Sequence, residues 1–235
     1  MKVAILTTNT LHHAYFVKCL NELDITLYVF EEKESVQPPF KTSHPFEAER
    51  DIYEQHFWFS DKSSSIHDYA ETQSFKNIND KEFSDAIRNY NPDLSIAFGT
   101  RKLARDTINS CGYILNLHGG DPQTYRGLDT HLWAIYHGDY DNLKTSLHIL
   151  DDELDTGDIV DIEALSIQPN MPLTELRARN TETCVNLCKS ALITFKEKGI
   201  INTSPQRQKG RYYSFMPPQL KELCVQKFAN YTKNL

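Results

Sequence analysis

Apolar residues fall in short runs separated by amphipathic stretches along most of the chain. "KVAILTT" (2–8) and "ITLYVFE" (25–31) are runs of strand length. Between them, "HAYFVKCLNEL" (13–23) spaces its apolar positions every three to four residues, as a helix does. A polar link (32–45) leads to a helical pattern at 46–58, and a second helix is expected over 81–90. Asn91-Pro92 stops that helix before the strand "DLSIAFG". A short helix (102–110), the strand "YILNLHGG" (113–120), a helix (130–139) and the strands "TSLHIL" (145–150) and "IVDIEALSI" (159–167) follow. A long helix, 172–199, closes on Gly199. The alternation predicts an α/β fold in which helices flank a mostly parallel sheet. In such sheets sites gather beyond the carboxyl ends of the strands, where Asn116, His118 and the segment after "TSLHIL" are expected.

Residues 201–235 change character: polar, then aromatic, then Pro-Pro, then a terminal helix. They are expected to form a small strand or hairpin plus helix, appended to a main domain over 1–200 as a dimerisation or substrate-contact element. The chain of 235 residues has room for one sizeable domain. The net charge of −7 hides an asymmetry, since the last thirty-five residues hold six basic side chains against one acidic. An acidic body disfavours extensive contact with nucleic acid, and no stretch is long and apolar enough to cross a bilayer. The first residues read as a strand and not as a signal peptide. Five cysteines without a paired-spacing framework point to reduced, buried thiols and a cytoplasmic protein.

Several chemistries are missing from the sequence. No glycine follows the first strand in "TTNTLHH", so the backbone there is not shaped for a pyrophosphate, although the helix N-terminus at Asn9 and Thr10 can receive an anion. Neither a Walker A sequence nor a G-x-S-x-G elbow occurs, and the histidines lack metal-site spacing, so no metal is expected. Two features remain. Asn116 and His118 stand at i and i+2 on one strand, so both point to the same side. An amide N–H stabilises a developing oxyanion and an imidazole moves a proton, which suits attack of an amine on an acyl carbon. "DDELDTGDIV" (151–160) holds five carboxylates without calcium-loop spacing. One of its Asp residues facing His118 would orient and charge the imidazole.

"NLHGGDPQTYRGLDTHLWAIYHGD" followed by "TSLHILDDELDTGDIV" resembles the formyltransferase domain that uses 10-formyltetrahydrofolate. The resemblance implies a Rossmann-like fold and makes Asn116, His118 and Asp155 the catalytic set. It implies a folate pocket at Phe98, Gly99, Thr100, Arg101, Lys102 and Leu103, completed by Leu150, Asp151, Asp152 and Leu154. "GGDPQ" departs from the family's Ser-Leu-Leu-Pro after the histidine, which bears on the acceptor side. The "YRGLD" loop and the "GRYYSFMP" tail look most like the short sugar-nucleotide N-formyltransferases. That likeness implies a nucleotide-linked amino sugar as acceptor, a place in lipopolysaccharide O-antigen synthesis and a homodimer. Asn9, Thr10, Tyr125, Arg126, Asp129, Tyr212 and Tyr213 become the candidate acceptor contacts. Methionyl-tRNA and glycinamide ribonucleotide formyltransferases are the alternatives within the family. The first normally adds a basic barrel; the second has a glycine-containing first loop. A formyltetrahydrofolate hydrolase, which usually carries an extra leading domain, and a folate- or nucleotide-binding protein without turnover are the remaining readings.

Overall fold

Five strands begin the chain's sheet in register, each separated from the next by helix. They are β1 (Lys2–Thr7), α1 (Leu11–Asn21), β2 (Thr26–Glu32), α2 (Pro45–Phe59), β3 (Glu71–Phe75), α3 (Lys81–Tyr90), β4 (Leu94–Phe98), α4 (Arg105–Ser110) and β5 (Ile114–His118). Then come β6 (Tyr125–Gly127), α5 (Thr130–His137), β7 (Lys144–Ile149), β8 (Ile159–Ala164), α6 (Leu176–Lys198), β9 (Arg211–Tyr213) and α7 (Pro218–Lys233). This computed structural model describes residues 1–34 and 36–235; Ser35, within the polar link expected at 32–45, lies outside the described residues.

The main sheet has the order β3-β2-β1-β4-β5-β7-β8. Its first five strands are parallel, while β7 is antiparallel to both β5 and β8. Strands covered on both faces must be apolar at nearly every position, and β1 shows why: Val3 and Ile5 pack with α1 and α6 on one side, Ala4 and Leu6 with α3 on the other. In β5 the same alternation sends Leu115 and Leu117 toward the α1 and α6 layer. Asn116 and His118 therefore face the opposite side.

Three local features differ from expectation. β3, "ETQSF", is too polar to announce itself; it is an edge strand held by pairing with β2. The tail makes no hairpin, because β9 pairs in parallel with β6, eighty-odd residues earlier. And β7 runs against β5, with Ile149 opposite Leu115, so the segment after it leaves toward the amino end of β5. It reaches the site only by folding back across the sheet face. The tail helix α7 packs on α5, burying Cys224 and Phe228 with Met216 in a second core. Buried Lys221 joins this helix to Glu47 of α2 at 2.8 Å. All five cysteines are unpaired and buried.

Candidate active site

The end of β5 carries Asn116 and His118, and neighbouring β7 places His148 directly opposite Asn116. Cross-strand partners share a face, so three polar side chains converge on one patch of sheet. The returning loop lays Asp155 over them. Asp155 Oδ2 stands 3.6 Å from His118 Nδ1, and its Oδ1 stands 3.7 Å from His148 Nε2. All but Asn116 are nearly excluded from solvent: His118 and Asp155 are each 6% exposed and His148 1%.

Hydrogen bonds assign the protons. His118 Nε2 lies 2.8 Å from the Tyr125 carbonyl, which only accepts, so Nε2 carries the hydrogen and Nδ1 is the open nitrogen. His148 Nδ1 likewise donates to the Ile149 carbonyl at 2.8 Å. Its Nε2 then accepts from Asn116 Nδ2 at 3.1 Å. The amide is thereby oriented, and its other N–H is left for a ligand. Burial works to raise the Asp155 carboxyl, but the His118 charge, His148 and the Gly127 N–H (2.8 Å) outweigh it and hold it at about 2. Burial pushes His118 below its ordinary value, against the pull of Asp155 and of the Tyr125 carbonyl. At neutral pH the pair is a carboxylate beside a largely neutral imidazole whose Nδ1 is ready to take a proton.

The loop that brings Asp155 is braced from the tail side. Asp155 itself has a positive φ of 55°. Arg126 donates from Nη1 to the Leu154 carbonyl (2.9 Å) and from Nε to the Gly210 carbonyl (2.8 Å). Gln206 donates to the carbonyls of Asp155 and Gly157. Gly127 has a φ of 97°, and a Cβ there would collide with the Tyr213 carbonyl, so only glycine lets β6 and β9 close together here.

A cavity of about 390 Å³ opens beside these groups. Phe98, Gly99, Thr100, Arg101, Lys102 and Leu103 form one wall, and Leu150, Asp151 and Leu154 another. Asp152 turns away and pairs with Arg105 at 3.1 Å. Arg101 is anchored by buried Glu32, which accepts from its backbone N–H at 3.0 Å and from its guanidinium. A neighbouring cavity of about 330 Å³ shares Gly119, Gly127 and Leu128 with the first and is lined by His12, Arg50, Asp129, His131, Arg177 and Asn180 among others. Its size also suits a small molecule. Arg177 is matched by Glu54 at 2.7 Å and Asp51 at 2.6 Å.

The candidate acceptor contacts divide. Asp129 lines the second cavity and Tyr212 the first. Tyr125 is buried, with its hydroxyl on Asp139 and its ring stacked on Tyr213. Tyr213 also stacks on Trp133, so these rings are packing groups. Arg126 braces the loop. Asn9 accepts from the Ile66 N–H and bonds Ser65, and Thr10 bonds His12 and His13. Neither lines the two cavities. His148 and His131 are the site groups that residue patterns missed. His148 becomes visible only once β7 is in register with β5, and His131 has the sequence signature of any polar residue on a helix.

Asn116, His118 and Asp155 thus form a polar cluster able to hold a carbonyl oxygen and relay a proton; it lines the first cavity, next to the Gly119 and Gly127 that this cavity shares with the second. The family comparison agrees: the model described as "Formyl transferase" matches residues 26–192, and the chain belongs to that family. A methionyl-tRNA formyltransferase of Porphyromonas gingivalis is 32% identical over 143 residues, 60% of this chain and 43% of that protein. One from Finegoldia magna is 29% identical over 103 residues, 43% of this chain and 33% of that protein. The chain thus spans less than half the length of these curated relatives. Among solved structures, a sugar N-formyltransferase from Shewanella sp. FDAARGOS_354 superposes with a TM-score of 0.64 at 12% identity, over 97% of this chain and 87% of that one. The formyltransferase PseJ from Anoxybacillus kamchatkensis, solved with UDP-4,6-dideoxy-4-formamido-L-AltNAc and tetrahydrofolate, gives 0.56 at 20% identity over 96% and 97%. These likenesses carry the fold, including its tail.

Proposed function

We propose that the protein transfers a formyl group from 10-formyltetrahydrofolate to the primary amine of a nucleotide-linked amino sugar. The observation that carries this reading is the meeting of Asn116, His118 and Asp155 in the first cavity, beside the Gly119 and Gly127 that border both cavities. The first cavity suits a flat heterocycle with a reactive end: Phe98, Leu103 and Leu150 offer apolar lining, and Asn116, His118 and Asp155 offer polar lining. Its walls are the Phe98–Leu103 and Leu150–Leu154 segments that the family resemblance implied for folate. The second cavity supplies room for the acceptor, and the near full-length superposition on sugar N-formyltransferases favours an amino sugar over a tRNA.

The residues divide the work. The donor's formyl amide is activated because the neighbouring aryl ring competes for the nitrogen lone pair. Asn116 turns its free N–H to the carbonyl oxygen as negative charge gathers there. Neutral His118 takes the proton of the attacking amine on Nδ1, and Asp155, ionised and 3.6 Å away, stabilises the imidazolium that results. His118 then returns that proton to the departing donor nitrogen, so the amine's hydrogen ends on the donor and the formyl group on the amine. His148 keeps the Asn116 amide turned the right way.

Such a product would belong to lipopolysaccharide O-antigen assembly, and the unpaired thiols suit a cytoplasmic enzyme. Light scattering decides the expected homodimer, for which the apolar face of α7 is already covered by α5. Incubation with 10-formyltetrahydrofolate and a panel of nucleotide-linked 3- and 4-amino sugars tests the proposal. Tetrahydrofolate released with one sugar only, together with its formamide, supports it. Equal release without any amine would mean hydrolysis, and no release with any acceptor would mean a binding protein.

A further inference from the structure

The second cavity has a wall group that the residues above do not use. His131, in the first turn of α5, lines it. Its Nε2 lies 2.6 Å from the Lys144 carbonyl, so that nitrogen holds the hydrogen and Nδ1 presents a bare lone pair. The ring edge bearing Nδ1 lies against Gly119: a Cβ there would come within 3.1 Å of His131 Cε1 and 3.4 Å of Nδ1. Gly119 belongs to both cavities and directly follows His118. Its own carbonyl is turned away, taken by the Thr130 hydroxyl. Asn180 lines the cavity too, but its Oδ1 accepts from Thr145 at 2.6 Å. An open acceptor therefore stands at the junction where an incoming amine must pass.

Resting on the formyl-transfer reading of the two cavities, we infer that His131 receives the acceptor amine, its Nδ1 accepting one amine N–H and so turning the nitrogen lone pair toward the carbonyl held at Asn116. A primary amine has two N–H bonds and one lone pair. Fixing one N–H at His131 leaves the other for transfer to His118 Nδ1. His131 takes up no second proton. Burial, only partly offset by the Lys144 carbonyl, holds it at about 4, so it is an uncharged acceptor throughout the neutral range and a poor base for an amine. The consequence is selectivity for a neutral primary amine: a hydroxyl offers a weaker nucleophile, and an ammonium ion has no lone pair left to aim.

The test compares His131→Phe, which removes the acceptor, with His131→Asn, whose side-chain oxygen occupies the Nδ1 position. The acceptor is the aminosugar nucleotide that wild-type protein formylates. Loss of one well-formed hydrogen bond corresponds to roughly a tenfold change. His131→Phe should accordingly raise the acceptor KM or lower kcat about tenfold, leave the donor KM within twofold and fold normally by circular dichroism. His131→Asn should recover most of the loss. In wild-type protein labelled with ¹⁵N-histidine, Nδ1 of His131 should give an unprotonated signal at pH 6 that moves on acceptor addition. Unchanged acceptor kinetics in His131→Phe, or a protonated Nδ1 at pH 6, overturns the assignment while leaving formyl transfer intact. An acceptor defect in Asp129→Asn but not in His131→Phe overturns it in favour of Asp129. Absence of wild-type transfer to every amine removes the parent reading and this one with it.

Discussion

Replacing Asp155 by Asn isolates one charge. The amide keeps an oxygen for the Gly127 N–H (2.8 Å in the native protein) and differs little in volume, so the loop has no steric reason to move. What disappears is the attraction between a carboxylate and the imidazolium formed at His118 Nδ1, 3.6 Å away. At an effective dielectric constant of about 20 this is about 4–5 kcal/mol. Each ~1.4 kcal/mol is a factor of ten in rate, so kcat should fall by roughly 10³. Tetrahydrofolate release followed by absorbance, with both substrates saturating, measures the loss, and tryptophan quenching by tetrahydrofolate checks that the donor still binds. The pH profile adds an independent readout. His118 must be neutral to take the amine's proton, and Asp155 raises its affinity for protons. Removing the carboxylate should therefore move the acid limb of kcat/KM to lower pH. A variant within threefold of wild type, or an acid limb displaced upward, would refute the assigned role.

Asn116→Ala should lower kcat by about 100- to 1000-fold, the usual loss for one oxyanion donor, while the donor dissociation constant stays within a few-fold. Gly127→Ala drives a Cβ into the Tyr213 carbonyl at a φ of 97°; thermal denaturation should show a lowered Tm, and activity should fall further than stability because the Asp155 contact shifts with it. Acid sensitivity follows from His13 and His131, held at about 3 and about 4 by burial, with Arg177 adding repulsion at His13 and the Lys144 carbonyl partly offsetting burial at His131. Folded values below the unfolded ~6.5 mean that the unfolded chain binds more protons in between. Their stabilisation is complete above pH 6.5 and declines as the pH falls toward 4, by up to about 1.4 kcal/mol per unit for each; urea midpoints across that range measure it, and a flat profile would contradict the burial.

The sheet was legible because its central strands must be apolar on both faces, a demand that "KVAILTT" and "DLSIAFG" meet openly. β3 was not, since a polar edge strand takes its conformation from its neighbour. Direction was also hidden: "TSLHIL" reads the same whether it runs with or against β5. Asn116 and His118 announced themselves as polar side chains breaking an apolar run, and Asp155 through a family motif, its loop otherwise resembling a solvated acidic turn. His148 and His131 depend on register and on a packed helix, neither of which a one-dimensional pattern contains. Tyr125 and Arg126 were legible as a motif but not as to task, because their roles run through a backbone carbonyl and a loop brace.

β6 is three residues long, yet its Tyr125 carbonyl meets His118 and its Gly127 N–H meets Asp155, while its other edge is paired with β9. The segment nearest the terminus is thus hitched to the reaction centre by a ribbon too short to stretch. Swapping this tail for one from a relative with a different substrate would retune the chemistry along with the recognition, unless residues 204–213 travelled with the loop they hold.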